Sequence, residues 1–247
     1  MRFEQIIMPK NLDEAYDALV NNKKSVLLAG GAFVKLQKRS VKSVIDLSKL
    51  DLCYIKVEPT TFEIGAMTTL RQIEVEDELP SALKDSVKHI VGIALRNIAT
   101  IGGGVCGKYS FSNIITTLLA LEAELVFFKK GKISINDYIK SEDKEPDILE
   151  KIIIPRVVQS LYASKQLTYT DFPIINMAIS KNDHLRISVG ARPMIATLIE
   201  DPNLHLSSKE LLKDMDFASD LKAGGEYRRA LAESMLDDAL KEVRTWK

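Results

Sequence analysis

Three consecutive glycines, Gly102-Gly103-Gly104, with a fourth at Gly107, lie in the middle of this 247-residue chain and constrain it more than any other stretch. Glycine loses more conformational freedom on folding than any other residue, so a run of it within ordered chain needs a geometric reason. Both flanks read as helical. Upstream, Leu79, Leu83, Val87, Ile90, Val91 and Ala94 recur at three- and four-residue steps and predict one apolar helical face; downstream, Asn113 to Ala123 predicts a second helix. The run between them can serve as a tight irregular turn, or as backbone brought so close to a ligand that no Cβ fits.

A shorter glycine pair strengthens the second use. Gly30-Gly31 ends the apolar run Ser25 to Ala29, which reads as a buried strand, and Ser43 to Leu47 reads as its return strand. Before them, Asn11 is a candidate N-cap with Glu14 three residues on, so the first fifty residues predict a βαβ-like unit. Two glycine segments that each follow an apolar element, with successive amides free to point into one cavity, fit the cradling of a pyrophosphate by backbone N–H donors. Neither is GxGxxG and neither carries the Lys-Ser/Thr of a Walker loop, so the dinucleotide fingerprint and the P-loop both fail on spacing.

The remaining chain alternates hairpin and strand patterns. Tyr54 to Glu58 and Phe62 to Ala66 predict one hairpin; Glu124 to Lys129 and Lys132 to Ile135 flank Lys130-Gly131 as another; Asp147 to Pro155 is an apolar strand. Leu161 to Thr170, Phe172 to Ser180 and Leu185 to Val189 predict three more strands. The tail from Gly224 to Trp246 places Tyr227, Leu231, Met235, Ala239 and Val243 on one helical face. This order predicts an α+β fold: a first domain at residues 1–157, with subdomains at about 1–52 and 53–157, and a C-terminal α+β domain at 158–247.

Charge is balanced, with 34 basic and 34 acidic residues and no polybasic run, which leaves no feature that favours nucleic acid or an anionic membrane. The N-terminus lacks a hydrophobic signal core, and Glu122 and Glu124 interrupt the longest apolar region, so a soluble cytoplasmic protein is expected. Cys53 and Cys106 stand alone, and His89, His184 and His205 have no partners at ligand spacing. No metal site and no iron–sulfur cluster held by this chain is expected, and no hydrolytic motif such as GxSxG is present.

The sequence also resembles a known family. LLAGGAFVKL at Leu27 to Leu36, VIDLSKL at Val44 to Leu50, EIGAMTTL at Glu63 to Leu70, RNIATIGGGVCG at Arg96 to Gly107, LLALEAEL at Leu118 to Leu125, DFPIINMAI at Asp171 to Ile179 and EYRRALAESML at Glu226 to Leu236 look like the FAD-binding medium subunits of molybdenum hydroxylases, of the xanthine dehydrogenase and carbon monoxide dehydrogenase type. The resemblance implies two α/β subdomains holding an extended FAD between them, followed by a three-stranded antiparallel sheet with helices. It implies that Leu28, Ala29, Gly30, Gly31, Ala32, Phe33 and Val34 line the pyrophosphate, and that Ala99, Thr100, Ile101, Gly102, Gly103 and Gly104 contact the ribityl and pyrophosphate portion. It further implies Ile90 near the flavin ring and Leu149 against the cofactor.

Several positions depart from the family pattern, among them Gly104 in place of the usual asparagine and Ile174-Ile175 where some members place a basic residue. Ala32 and Phe33 replace a hydroxyl and a polar side chain, and Asn113 stands where the family carries an acid, with an amide that could still bond a ribityl hydroxyl. The function implied is an FAD-dependent electron-transfer subunit. It would be partnered by separate iron–sulfur and molybdopterin subunits and would deliver electrons to an external acceptor such as NAD; no residue of this chain is expected to be catalytic in itself. The departures motivate an alternative, a scaffold or assembly subunit of the same fold that binds FAD weakly or not at all. A different nucleotide or phosphate ligand in the same cleft is a third reading.

Overall fold

The computed structural model describes residues 1–22, 24–38, 40–156 and 159–246. The expected βαβ-like unit opens the chain: β1 (Arg2–Ile7), α1 (Leu12–Asn21), β2 (Ser25–Leu28) and β3 (Ser40–Asp46). These strands form a parallel sheet in the order β1-β3-β2. Asn11 caps α1 by accepting from the Glu14 amide at 2.8 Å, and Glu14 returns the bond to the Lys10 amide. Ala15 of α1 meets Ile45 and Leu47 in a small core that also includes Leu50, Leu52 and Ile148.

A second, five-stranded sheet carries the hairpins. β4 (Ile55–Val57) and β5 (Thr61–Gly65) lead through four short helices, α2 (Leu70–Val75), α3 (Ser81–Lys88), α4 (Ile93–Arg96) and α5 (Ile101–Cys106), to the fully buried α6 (Asn113–Ala120). β6 (Glu124–Phe127), β7 (Gly131–Ser134), α7 (Ile135–Lys140) and β8 (Leu149–Pro155) complete the unit, with strand order β4-β5-β8-β6-β7. Gly131 has φ +72°, the left-handed turn that the Lys130-Gly131 signal requires. The largest core lies here, built from Phe62, Ile64, Ile73, Leu83, Leu118, Leu119, Ile152 and their neighbours.

Two expectations fail in this region. The single helix expected through Ala94 ends at Lys88 and restarts as α4, because Val91 turns left-handed at φ +53° and Gly92 caps the next turn. Leu83 and Val87 are buried as the periodicity requires, whereas Ala94 is exposed. The glycine run is not a turn between helices either: Gly102, Gly103 and Gly104 are the second to fourth residues of α5, within its first turn.

The C-terminal part contributes β9 (Gln159–Lys165), β10 (Ile175–Lys181), β11 (Leu185–Gly190), β12 (Thr197–Glu200), α8 (Ser208–Leu211) and α9 (Gly225–Val243). The three expected antiparallel strands are present and a short fourth, β12, extends them in the order β12-β11-β10-β9. One face of this sheet packs on α3 and α6, the other on α9. The α9 stripe differs from the expected one in its first half. Arg228, Ala232 and Leu236 face inward, and Tyr227 is exposed. Arg228 tolerates burial because its guanidinium donates to the carbonyls of Ile174 and Ala191 and pairs with Asp220. The expected boundary at Val157-Val158 lies outside the described residues. Among the described residues no helix is long and apolar enough to cross a membrane.

Candidate functional site

A cavity of about 500 Å³ opens between the core under the three-stranded sheet and the core of the five-stranded sheet. That volume is in the range of sites for small organic ligands. Its lining brings together most of the residues singled out from sequence: Ala29, Gly30, Gly31, Ala32, Phe33, Val34, Ile90, Ala99, Thr100, Gly102, Gly103, Gly104, Asn113 and Leu149. Leu28 and Ile101 are not among the lining residues. Ile101 is fully buried in the larger core, and the Leu28 side chain lies beneath Gly31.

The two glycine segments touch. A methyl group on Gly30 would lie 1.4 Å from the carbonyl oxygen of Ile98, so only glycine lets the first loop approach the segment leading into α5. Gly31 follows at φ +68°, and the loop closes with a short 3₁₀ turn at Val34–Leu36. Within α5 the three glycines do different jobs. A methyl group on Gly102 would meet the Ala66 carbonyl at 2.6 Å and one on Gly104 the Ile114 side chain at 2.4 Å, whereas at Gly103 the nearest atom is the Thr100 hydroxyl at 3.2 Å. Gly102 and Gly104 therefore serve packing. Gly103, exposed on the cavity wall, is the one whose Cβ would enter the ligand space.

Accounting for the amides separates the two segments further. In α5 the N–H groups of Ile101 and Gly102 donate to the carbonyls of Thr68 and Ala66, that of Gly103 to the Thr100 Oγ1, and that of Gly104 to the Thr100 carbonyl. All four are spent inside the protein, which corrects the expectation that both segments present free amides. Among the described residues no acceptor takes the N–H groups of Gly30, Gly31, Ala32 or Phe33. Backbone donors left unpaired beside a cavity are open to water or to the acceptors of a ligand. Thr100 contributes the proton of its hydroxyl, since its oxygen already accepts from Gly103.

No lysine or arginine appears among the described lining residues. The two carboxylates that do are engaged: Asp147 accepts from the amides of Lys129, Lys130 and Ile148, and Asp171 from Lys222 and the Phe172 amide. An anionic ligand here is met by peptide dipoles, as in other amide nests. Asn113 reaches the cavity, but its side chain is committed elsewhere. Its Oδ1 accepts from Asn176 at 2.9 Å and its Nδ2 donates to the Ser86 carbonyl at 3.2 Å, tying α6 to β10 and α3.

Sequence reading missed several residues that shape this wall. Arg96 is 5% exposed and grips Glu74 through Nε and Nη2 at 2.9 and 3.1 Å, while its Nη1 donates to the Val91 carbonyl at 2.7 Å. It thereby holds the Ile90-Val91 turn against the cavity. Burial pushes the Glu74 carboxyl up, but the hydrogen bonds from Arg96 and Arg71 outweigh it and hold the group below its ordinary range. Cys106 also lines the wall and is exposed there. The Arg of the RN-x-ATIGG stretch was the one available signal for the first; nothing in the sequence marks the second.

Over residues 1–157 the sequence matches the family described as FAD binding domain in molybdopterin dehydrogenase. The chain belongs to that family. It is 25% identical over 246 residues to YgfM of Escherichia coli (strain K12), covering 95% of this chain and 94% of that one. It is 32% identical over 177 residues to the nicotinate dehydrogenase FAD-subunit of Eubacterium barkeri, covering 63% of this chain and 60% of that one. The fold is shared with quinoline 2-oxidoreductase from Pseudomonas putida 86, with a TM-score of 0.86 at 16% identity over 98% of this chain and 96% of that one. This family member is accordingly an FAD-binding oxidoreductase subunit, and its cavity fits the cofactor: the open amides of the first loop match a diphosphate, and the space over Gly103 is kept free of side chain.

Proposed function

We propose that the chain holds FAD in this cavity and passes electrons from iron–sulfur clusters on a partner chain to an external acceptor, NAD being the first to test, as one component of a molybdenum hydroxylase with separate iron–sulfur and molybdopterin subunits. FAD supplies the electron chemistry, and the protein supplies position and electrostatics. The observation that carries the reading is the row of amides from Gly30 to Phe33, without an acceptor among the described residues, in a loop that lines the cavity beside the Thr100-capped α5. Residues 1–157 form the cofactor-holding part in this proposal, and 158–247 cover it through the Thr170 to Pro173 stretch that reaches the cavity.

The visible spectrum of the purified protein, followed by calorimetric titration with FAD, tests the first half of the reading. Flavin bands, or stoichiometric FAD uptake by the apoprotein, are expected. Co-purification tests the second half, through the iron–sulfur absorbance and molybdenum content of whatever chains accompany this one. A scaffold reading rests on the spent amides of α5 and the committed side chain of Asn113. Absence of flavin bands together with absence of heat on FAD addition would leave that reading standing and remove the first.

A further inference from the structure

β1 is an unprotected sheet edge. It is exposed along nearly its whole length and pairs with β3 on one side; among the described residues its backbone makes no hydrogen bond to any other element. Natural sheet edges are kept short, charged, broken by proline or covered, because a row of open N–H and C=O groups is a template for another strand. The other edges of this protein follow that rule: β2, β4, β7 and β12 are three or four residues long, and β9 packs on α3. β1 has six residues, no proline and a single register with β3. It exposes Phe3 at 48% and Ile6 at 53%, with Met8 beside its end. The helix of this unit leaves the edge clear, since α1 packs over β2 and β3.

The charges along β1 say what fits it. Ile7 stands beside Ile45, on which α1 rests, so Phe3, Gln5 and Ile7 share the α1 face while Arg2, Glu4 and Ile6 share the other. A second copy of the strand can add antiparallel about a two-fold axis perpendicular to the sheet, in registers that pair residues of one face. An axis at Arg2 or at Glu4 sets two like charges against each other. An axis at Gln5 puts Arg2 opposite Met8 and Glu4 opposite Ile6, and one further along shortens the ladder. With the axis at Phe3, each Arg2 stands opposite a Glu4, twice over, and the two Phe3 side chains meet on the axis. We propose that β1 is a self-association edge, on which a second copy of this chain adds its own β1 antiparallel with Phe3 on the two-fold axis, joining two three-stranded sheets into one. The ladder is short, and contacts burying less than about 1,200 Å² belong to weak, transient complexes, so association is expected in the micromolar range.

Sedimentation equilibrium of the purified full chain over a range of concentrations reads the association directly, and the parent should dimerise. Arg2→Glu and Glu4→Arg each set like charges against each other at both pairs, and each should weaken the dimer by about tenfold or more. An equimolar mixture of the two variants restores opposite charges between unlike chains and should associate within about threefold of the parent. Both side chains are exposed, so the circular dichroism and Tm of the variants should match the parent. A parent that stays monomeric at millimolar concentration would overturn the proposal, and so would variants that dimerise as tightly as the parent. A mixture no tighter than the separate variants would overturn the register and the proposal with it. Association that appears only when iron–sulfur or molybdopterin subunits are added would assign the edge to a different chain, which equally overturns it. FAD uptake should be equal in all three proteins, so the outcome is independent of the function proposed for the cavity.

Discussion

Replacing Arg96 by methionine keeps much of the apolar stem and removes the guanidinium that joins Glu74 to the Ile90-Val91 turn. Removing one member of a buried ion pair costs about 3–5 kcal/mol, because the partner is left charged in a poorly solvated place. Glu74 is 12% exposed and keeps Arg71 at 2.9 Å, so the low end, about 3 kcal/mol, is the expected loss. In a chain of this size that corresponds to a fall in Tm of about 6–12 °C by scanning calorimetry. The pH dependence gives a second check. The Glu74 carboxyl is held below its ordinary value of 4.5 in the folded chain, so its contribution is fully present above that pH and is lost as the pH falls through the lower folded value. Arg96→Met should therefore lose less stability than the parent between about pH 5 and pH 3. Val91 pays for its left-handed φ of +53° only while the turn is held, so Val91→Gly should return part of the lost Tm in the Arg96→Met background. A Tm within about 2 °C of the parent, roughly 1 kcal/mol or less, would refute the assignment of Arg96 as the clamp of this wall.

Gly103→Val should abolish FAD retention with near-native circular dichroism, because its side chain enters the cavity, whereas Gly30→Ala should fail to fold or lose thermal stability outright, its methyl meeting the Ile98 carbonyl at 1.4 Å; equal outcomes in a spectral and thermal-shift comparison would contradict the division. Cys106, exposed on the cavity wall, should be alkylated by iodoacetamide in a Cys53→Ser background more slowly when FAD is bound than in the apoprotein, as mass spectrometry can follow. Asn113→Asp, which restores the family's acid, should destabilise the chain by about 1–3 kcal/mol in urea titration, since it removes the donor to the Ser86 carbonyl and buries a carboxylate.

The elements set by local patterns were legible. Apolar runs such as Ser25 to Ala29 and Asp147 to Pro155 became β2 and β8, and the Lys130-Gly131 hairpin formed where its turn residues stood. The glycine run was legible as a ligand wall but not as a helix, because intrinsic propensity argues against three glycines in a helical turn. The requirement that overrides it, the Ala66 carbonyl against Gly102, is set by a contact distant in sequence. The same limit hid the inward face of α9, where a cation at Arg228 is buried by carbonyls from two other segments, and the aromatic residues Phe33, Tyr109, Phe111 and Phe172 of the cavity wall, which lie up to 139 positions apart in the chain, from Phe33 to Phe172. Asn113 was correctly found on the wall, yet its bonds to Asn176 and the Ser86 carbonyl could be seen only once α6 and the C-terminal sheet were in place.

The contact of Gly30 with the Ile98 carbonyl also sets a limit on how the cavity can change shape. Two backbones that meet without room for a methyl group cannot be pressed further together, so the cavity cannot narrow at this seam. The stretch at Asp171-Phe172 is held differently, by Lys222 and by the amides of Asp171 and Ile174 on the carbonyls of Thr168 and Lys165, with Phe172 partly in solvent. Any tightening around a ligand therefore has to come from the other walls and their side chains, while the backbone seam acts as a fixed stop.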